Sequence, residues 1–283
     1  MGKVRMLMAA ALALAAASAV GPCPVPPGAE ALWRPSIRYL LIGEIHGTAE
    51  TPAAFADLVC AAARSGRPVT VAVEYSSDDQ PVVDAFLASN GDAEARAALL
   101  TLPIWHDTWQ DGRSSTAFLA LFERLRVLKQ AGLIRGVVCS DVGKDKPRGI
   151  ARDAIMARNW RAVPLGPDGL LIALAGNVHM MRKPVERPGM TIHTAGSLMP
   201  RGATMTVDVG YNGGTSWTCE QDGCGSHSGG RAEAAKPGLV PTADPDARFD
   251  AVLELGTPVH AALPALPERR MFKPMTGPVR IGE

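Results

Sequence analysis

"LLIGEIHGTAE", Leu40 to Glu50, sets the pattern from which the rest of the fold follows. Three apolar residues run into Gly43. A carboxylate, Glu44, and an imidazole, His46, follow before a second glycine, Gly47. With the preceding "SIRY" it reads as a short buried strand that stops on ionisable groups instead of on a solvated turn. "ETPAAFADLVCAAARSG" behind it reads as a helix, with Thr51 able to cap, Pro52 in the first turn and Gly66 as the stop.

The same alternation continues along the chain. "RPVTVAVEYSS" is a second strand with Val69, Val71 and Val73 at its centre. "DDQPVVDAFLASNGD" and "DAEARAALL" are two helical pieces, and "LPIWHDTWQDGRSS" is an irregular loop. In "SSTAFLALFERLRVLKQAG", Phe118, Leu121, Phe122, Leu125 and Leu128 recur at helical spacing until Gly132. "LIRGVVCSDVG" is a third strand, "RGIARDAIMARNWRAV" a helix and "GLLIALAGNVHMM" a fourth strand. Apolar strands alternating with helices specify a parallel sheet covered on both faces. Later segments ("MTIHTAG", "ATMTVDVG", "TSWTCE") are short and turn-rich. "GCGSHSGGRAEAAKPG" reads as a flexible loop, and the tail has several prolines and little periodicity. The expected fold is an α/β three-layer sandwich with a mainly parallel central sheet and a short mixed or antiparallel extension near the C-terminus. Residues 37–200 form its core and residues 201–283 an extension of the same domain.

The strand ends carry the chemistry. The first ends on Glu44 and His46, the second on Glu74 and Tyr75, the third on Asp141 and the fourth on Asn177 and His179. Ligand sites in open α/β sheets lie beyond the carboxyl ends of the strands, so these residues are expected on one rim. His106 and Arg113, from the Trp-rich loop before the long helix, can fold over it, Arg113 holding a carboxylate or an oxyanion. Ser114 and Ser115 read as caps of that helix. Each residue also has a plain structural reading: a glutamate after a strand is commonly a cap, and a lone histidine is commonly satisfied in the core. It is their joint occurrence at equivalent strand ends that points to a site.

The 283 residues are 47% hydrophobic, 20% charged and nearly neutral, with 29 Lys+Arg against 28 Asp+Glu. A sizeable core is possible, and neither a basic field nor a stock of aromatics (5%) suggests nucleic acid. Lys3 and Arg5, an apolar run from Met6 to Ala17 and the small residues Ala17, Ser18 and Ala19 make residues 1–19 a signal peptide pattern. The run is short for a membrane span. Pro22 before Cys23 argues against lipid attachment there, and residues 20–36 read as a linker. Export to the periplasm or beyond permits disulfides. Cys219 and Cys224 suit a bridge closing a hairpin, in preference to a metal site shared with His227. The pairing of Cys23, Cys60 and Cys139 is open.

G-x-S-x-G, the phosphate-loop pattern and H-E-x-x-H are absent, which leaves histidine and carboxylate. Glu44, His46, Glu74 and His179 are the catalytic candidates, with His106, Arg113, Asp141, Asn177 and Tyr75 as substrate contacts. Two mechanisms fit them. A histidine or glutamate can act as general base on water. Alternatively His46, His179 and Glu44 can hold zinc, manganese or cobalt with an open position for water.

"LLIGEIHG", a strand ending "VAVEY" and "LAGNVHM" together resemble the superfamily that joins the erythromycin esterases, the ChaN-type haem-binding lipoproteins and the Tiki metalloproteases. The likeness runs from about Ile37 to Ser197. For the esterases it implies a metal-independent hydrolytic site at Glu44, His46, Glu74 and His179. Those enzymes also use an arginine shortly after the first motif. None occurs here before Arg64, a departure that counts against macrolide hydrolysis. The proteases imply a metal on similar residues. The ChaN-type proteins imply haem on a tyrosine, and only Tyr75 is placed at the rim. The leading expectation is an exported hydrolase of a small-molecule or peptide ester or amide, with His46 as base, Glu74 orienting it, Glu44 as a second acid or base and His179 stabilising charge. A periplasmic haem or metal binder, with Tyr75, His46, His179, Met180 and Met181 around a tetrapyrrole, is the alternative.

Overall fold

A computed structural model describes residues 20–143, 150–221, 223–229 and 234–266. The expected signal peptide lies outside the described residues. The four apolar runs form β1 (Tyr39–Glu44), β2 (Val69–Ser76), β3 (Ile134–Asp141) and β4 (Leu170–Gly176). Helices α1 (Glu50–Arg64), α2 (Gln80–Ala88), α3 (Ala93–Leu99), α4 (Thr116–Gln130) and α5 (Ile150–Arg161) separate them. A one-turn helix, α6 (Asn177–Met180), follows β4. The fourth apolar run therefore stops being strand at Gly176, and His179 rides on helix.

β7 (Thr204–Gly210), β10 (Gly238–Pro241) and β11 (Ala251–Glu254) complete a seven-stranded sheet of order β10-β11-β7-β1-β4-β2-β3. All neighbours are parallel except β10 against β11. The fold class expected from the sequence is the one observed. The tail, which looked aperiodic, contributes β11 as a parallel strand beside β7. Two small hairpins, β5 (Val185–Arg187) with β6 (Met190–Ile192) and β8 (Thr215–Glu220) with β9 (Gly223–Ser228), stand apart from the sheet. The segment read as a flexible loop therefore opens with strand β9.

Side chains alternate across the sheet and build two cores. Leu40, Ile42, Val69, Val71 and Val73 pack with Phe55, Phe118 and Phe122 on the α1, α2 and α4 face. Leu41, Ala72, Leu171 and Ala173 pack with Met156 and Trp160 on the α5 face. Ser115 caps α4, its hydroxyl accepting from Phe118 N at 3.3 Å. Thr51 does not cap α1; its hydroxyl accepts from Thr48. The segment read as linker carries a 3-10 helix at Ala29–Trp33 that buries Ala29 and Leu32, and a Cys23–Cys60 disulfide ties it to α1. Cys139 is unpaired and buried. Among the described residues no helix is long and apolar enough to cross a membrane.

Candidate active site

β1, β4 and β2 lie side by side, and their carboxyl ends present Glu44, the Asn177–His179 turn and Glu74 to one cleft. The chain leaves β1 for β2 on one side and later returns to β7 on the other. The cleft thus opens where the strand order reverses, the usual ligand position in such sheets. It has a volume of about 410 Å³, and Arg113, Arg152, Trp109 and Asp111 also line it.

Backbone packing fixes the turn after β1. Gly47 (φ +89) lies under the β8–β9 hairpin and would place a Cβ 2.0 Å from the Trp217 carbonyl oxygen. Gly112 (φ +91) stacks on it, and a Cβ there would fall 2.2 Å from Gly47 Cα. The Gly47 carbonyl accepts from Trp217 N and Ala262 N, both at 2.8 Å. Two left-handed glycines thus let the first motif, the Trp-rich loop and the hairpin meet at one point. The Cys219–Cys224 disulfide joins directly opposed residues of the hairpin. Cys219 Sγ lies 3.3 Å from Gln110 O, bracing the loop that carries Asp111 and Arg113.

At the centre is the His46 ring. Its Nδ1 hydrogen-bonds Glu44 Oε1 at 2.9 Å, and its Nε2 lies 3.3 Å from Glu74 Oε2. Both carboxylates are buried (1% and 3% exposed). Burial alone would discharge the imidazole, but Glu74 and then Glu44 outweigh it, and its pKa is pushed up to about 10. Glu44 moves the other way from a usual carboxylate: burial raises its pKa against the His46 hydrogen bond, and its Oε2 has no partner. Glu74 is held well below the carboxylate range despite burial, by Arg113 first and His46 next. Arg113 Nη1 donates to Glu74 Oε1 at 2.6 Å, Arg152 Nη2 donates to the same oxygen at 2.5 Å, and Gly176 N donates to Oε2 at 2.7 Å.

The second imidazole is held differently. His179 Nε2 faces Arg152 Nη1 at 3.1 Å, and Nδ1 faces Asp153 Oδ1 at 2.9 Å. A guanidinium can only donate, so Nε2 is the acceptor and Nδ1–H donates to the carboxylate. Asp153 is itself fixed by Ala195 N at 2.7 Å. Arg152 spans the site, also donating to Asp141 through Nε (2.7 Å) and Nη2 (2.6 Å). Asp111 grips Arg113 through Nε and Nη2, and that ion pair, working against burial, keeps the Asp111 pKa low.

Of the sequence-derived candidates, Glu44, His46, Glu74, Arg113, Asn177 and His179 meet in this cleft. Asp141 lies behind it, lining a smaller cavity on the far side of the two arginines. Two candidates fall elsewhere. Tyr75 is fully buried among Trp105, Phe118 and Phe122, with ring centroids 5.0–6.1 Å away, and its hydroxyl donates to the Arg113 carbonyl. It supports the arginine from below. The 3-10 turn Pro103–His106 points the His106 ring back at the end of α3, where Nε2 lies 2.8 Å from Leu100 O. Arg152 and Asp153 were missed. The available signal was their place in the first turn of the helix after β3, at the same sheet edge.

The residues present do not fit a divalent cation. Both His46 nitrogens face carboxylates, His179 Nε2 faces a guanidinium, and two arginines already neutralise Glu74. Among the described residues no group of three His, Cys, Asp or Glu is arranged to hold a metal. Haem fits no better: Tyr75 is locked in the core, and Met180 and Met181 belong to the buried cluster under α5.

Solved structures share the fold. A mutant erythromycin esterase in its open conformation matches with a TM-score of 0.60 at 12% identity, over 83% of this chain and 93% of that one. A succinoglycan biosynthesis protein matches at 0.59 and 10% identity, over 81% and 89%. A protein from Bacillus cereus matches at 0.54 and 10%, over 82% and 91%. No family model matches the chain, and no curated protein matches it in sequence. The fold is the one found in the erythromycin esterases, which the sequence motifs resemble.

Proposed function

We propose that the chain is an exported hydrolase of ester or amide bonds that works through its two histidines without a metal. The observation that carries this reading is the contrast between them in one open cleft. His46, between two carboxylates, keeps its proton at neutral pH. His179, between Arg152 and Asp153, turns an accepting Nε2 towards the cleft. A ring that carries a proton and a ring with an accepting nitrogen are an acid and a base in waiting.

His179 is then the general base: a water taking the place of the Arg152 contact would donate to the Nε2 lone pair and attack the substrate carbonyl. The imidazolium that forms is steadied by Asp153. His46 is the general acid, passing a proton to the leaving oxygen or nitrogen. Glu44 and Glu74 hold its ring; after the leaving group departs, His179 releases to solvent the proton it took from water, and His46 takes one up from solvent. The charges of Arg113 and Arg152 offset the negative charge growing on the carbonyl oxygen. His46 is thus proposed as acid in place of the base expected from sequence, and His179 as base in place of a charge stabiliser, because a ring with a pKa of about 10 holds too little free base near pH 7. Two disulfides and the N-terminal pattern support export. A panel of carboxylic esters and peptide amides, tested with the wild type and His179→Asn, decides the matter. The expected result is turnover of at least one ester or amide class, reduced about a hundredfold or more in the variant. Turnover unaffected by His179→Asn would overturn the assignment.

A further inference from the structure

Six large hydrophobic side chains are exposed among the described residues, and three of them, Ile45, Trp109 and Val178, stand on this one cleft. They are 42%, 49% and 50% exposed. They come from three separate elements: the turn after β1, the loop before α4 and the helix α6. Each adjoins a polar residue of the site. Ile45 lies between Glu44 and His46, Val178 between Asn177 and His179, and Trp109 two residues before Asp111. Exposed apolar side chains scattered singly are ordinary, but a cluster around a ligand-sized opening marks a binding surface. Trp109 is also held in place. Its backbone N–H donates to Asp107 Oδ1 at 3.0 Å, and Cys224 Sγ contacts Thr108 O next to it.

Resting on the hydrolase reading, we infer that the substrate carries an apolar arm next to the scissile carbonyl, an acyl chain or ring that lies against Ile45, Trp109 and Val178. The histidines and arginines meet only the reacting carbonyl. A cleft built for a short polar acyl group would gain nothing from three hydrophobic residues at its mouth. A 410 Å³ opening holds a chain of several methylenes or one ring besides the carbonyl.

The test is a series of methyl esters of acetic, butyric, hexanoic and octanoic acids, followed by acid release at constant pH. Each methylene laid on the rim should raise kcat/KM about two- to fourfold. In Trp109→Ala with Val178→Ser the slope should flatten, with octanoate losing the most. All three side chains are on the surface, so the variant should fold, and the wild-type slope alone already decides the point. A rate independent of chain length, or lost equally for acetate and octanoate in the variant, would overturn the inference. If no ester is hydrolysed, calorimetric binding of N-methyloctanamide against N-methylacetamide separates the two ideas. Tighter binding of the octanoyl compound, lost in the variant, keeps the apolar subsite and removes the hydrolase. Equal binding of both compounds removes the subsite.

Discussion

Replacing Glu74 by glutamine should damage the protein more than any other single isosteric change in the cleft. The carboxylate accepts from Arg113, Arg152 and Gly176 N and lies 3.3 Å from His46 Nε2. Every group around it is a donor. A glutamine can turn its oxygen towards the arginines or towards Gly176 and His46, and in either pose its NH₂ faces donors. The change also leaves two guanidiniums and an imidazolium without their common anion. Removing one partner of a buried ion pair costs about 3–5 kcal/mol. The loss should appear in urea denaturation at pH 7 as a lower midpoint with an unchanged slope. The folded Glu74 pKa lies below its ordinary 4.5, so its stabilisation is complete above that value and is lost as the pH falls through the folded value. The gap between wild type and variant should therefore narrow in acid. In the same variant the His46 pKa should fall from about 10 towards 6.5, since Glu74 is the chief influence raising it. Ring-proton resonances report this directly. A loss below about 1 kcal/mol together with a His46 pKa still near 10 would show that Glu74 is not the common anion of the cleft.

Cys23→Ser with Cys60→Ala opens a bridge spanning 37 residues. Loop-closure entropy then predicts a loss of about 2–4 kcal/mol, read as a lower urea midpoint for the oxidised protein. Asp153→Asn should lower kcat about a hundredfold or more with little change in KM, because Asp153 positions His179 and its loss frees the ring to change tautomer. Nitrogen shifts of the His179 ring would show that change, which a merely structural role for Asp153 would not produce. Tyr75→Phe should cost about 1 kcal/mol by removing the hydroxyl that supports the Arg113 carbonyl, with the chain-length preference of the cleft retained in the ester assay.

The parallel core and much of the site were legible in the sequence for one reason. In a buried parallel strand the apolar run is continuous, so the residue at which it stops is conspicuous. Glu44, His46, Glu74 and Asn177 stop such runs, and His179 follows within a turn. β10 and β11 escaped notice because four-residue strands carry too little pattern to separate from a proline-bearing tail. Arg152 and Asp153 look, in "RGIARDAIMARNW", like the solvated side of an amphipathic helix. Only the packing of α5 against β3 brings them onto Glu74 and His179. Tyr75 misled for the opposite reason. It neighbours Glu74 in a strand, and alternate residues of a strand point to opposite faces, so one enters the cleft and the other enters the core. The disulfide between Cys23 and Cys60 depends on packing between a segment without periodicity and α1, which spacing alone does not encode.

The most direct test of the acid and base assignment is the pH dependence of kcat/KM between pH 5 and 11 for an ester the protein hydrolyses, in the wild type and in His46→Gln. The wild-type rate should fall through a pKa of about 10 as His46 loses its proton, and His46→Gln should be slow and lack this alkaline limb. A wild-type rate that keeps rising through pH 10, or a His46→Gln variant with the wild-type profile, would contradict the assignment.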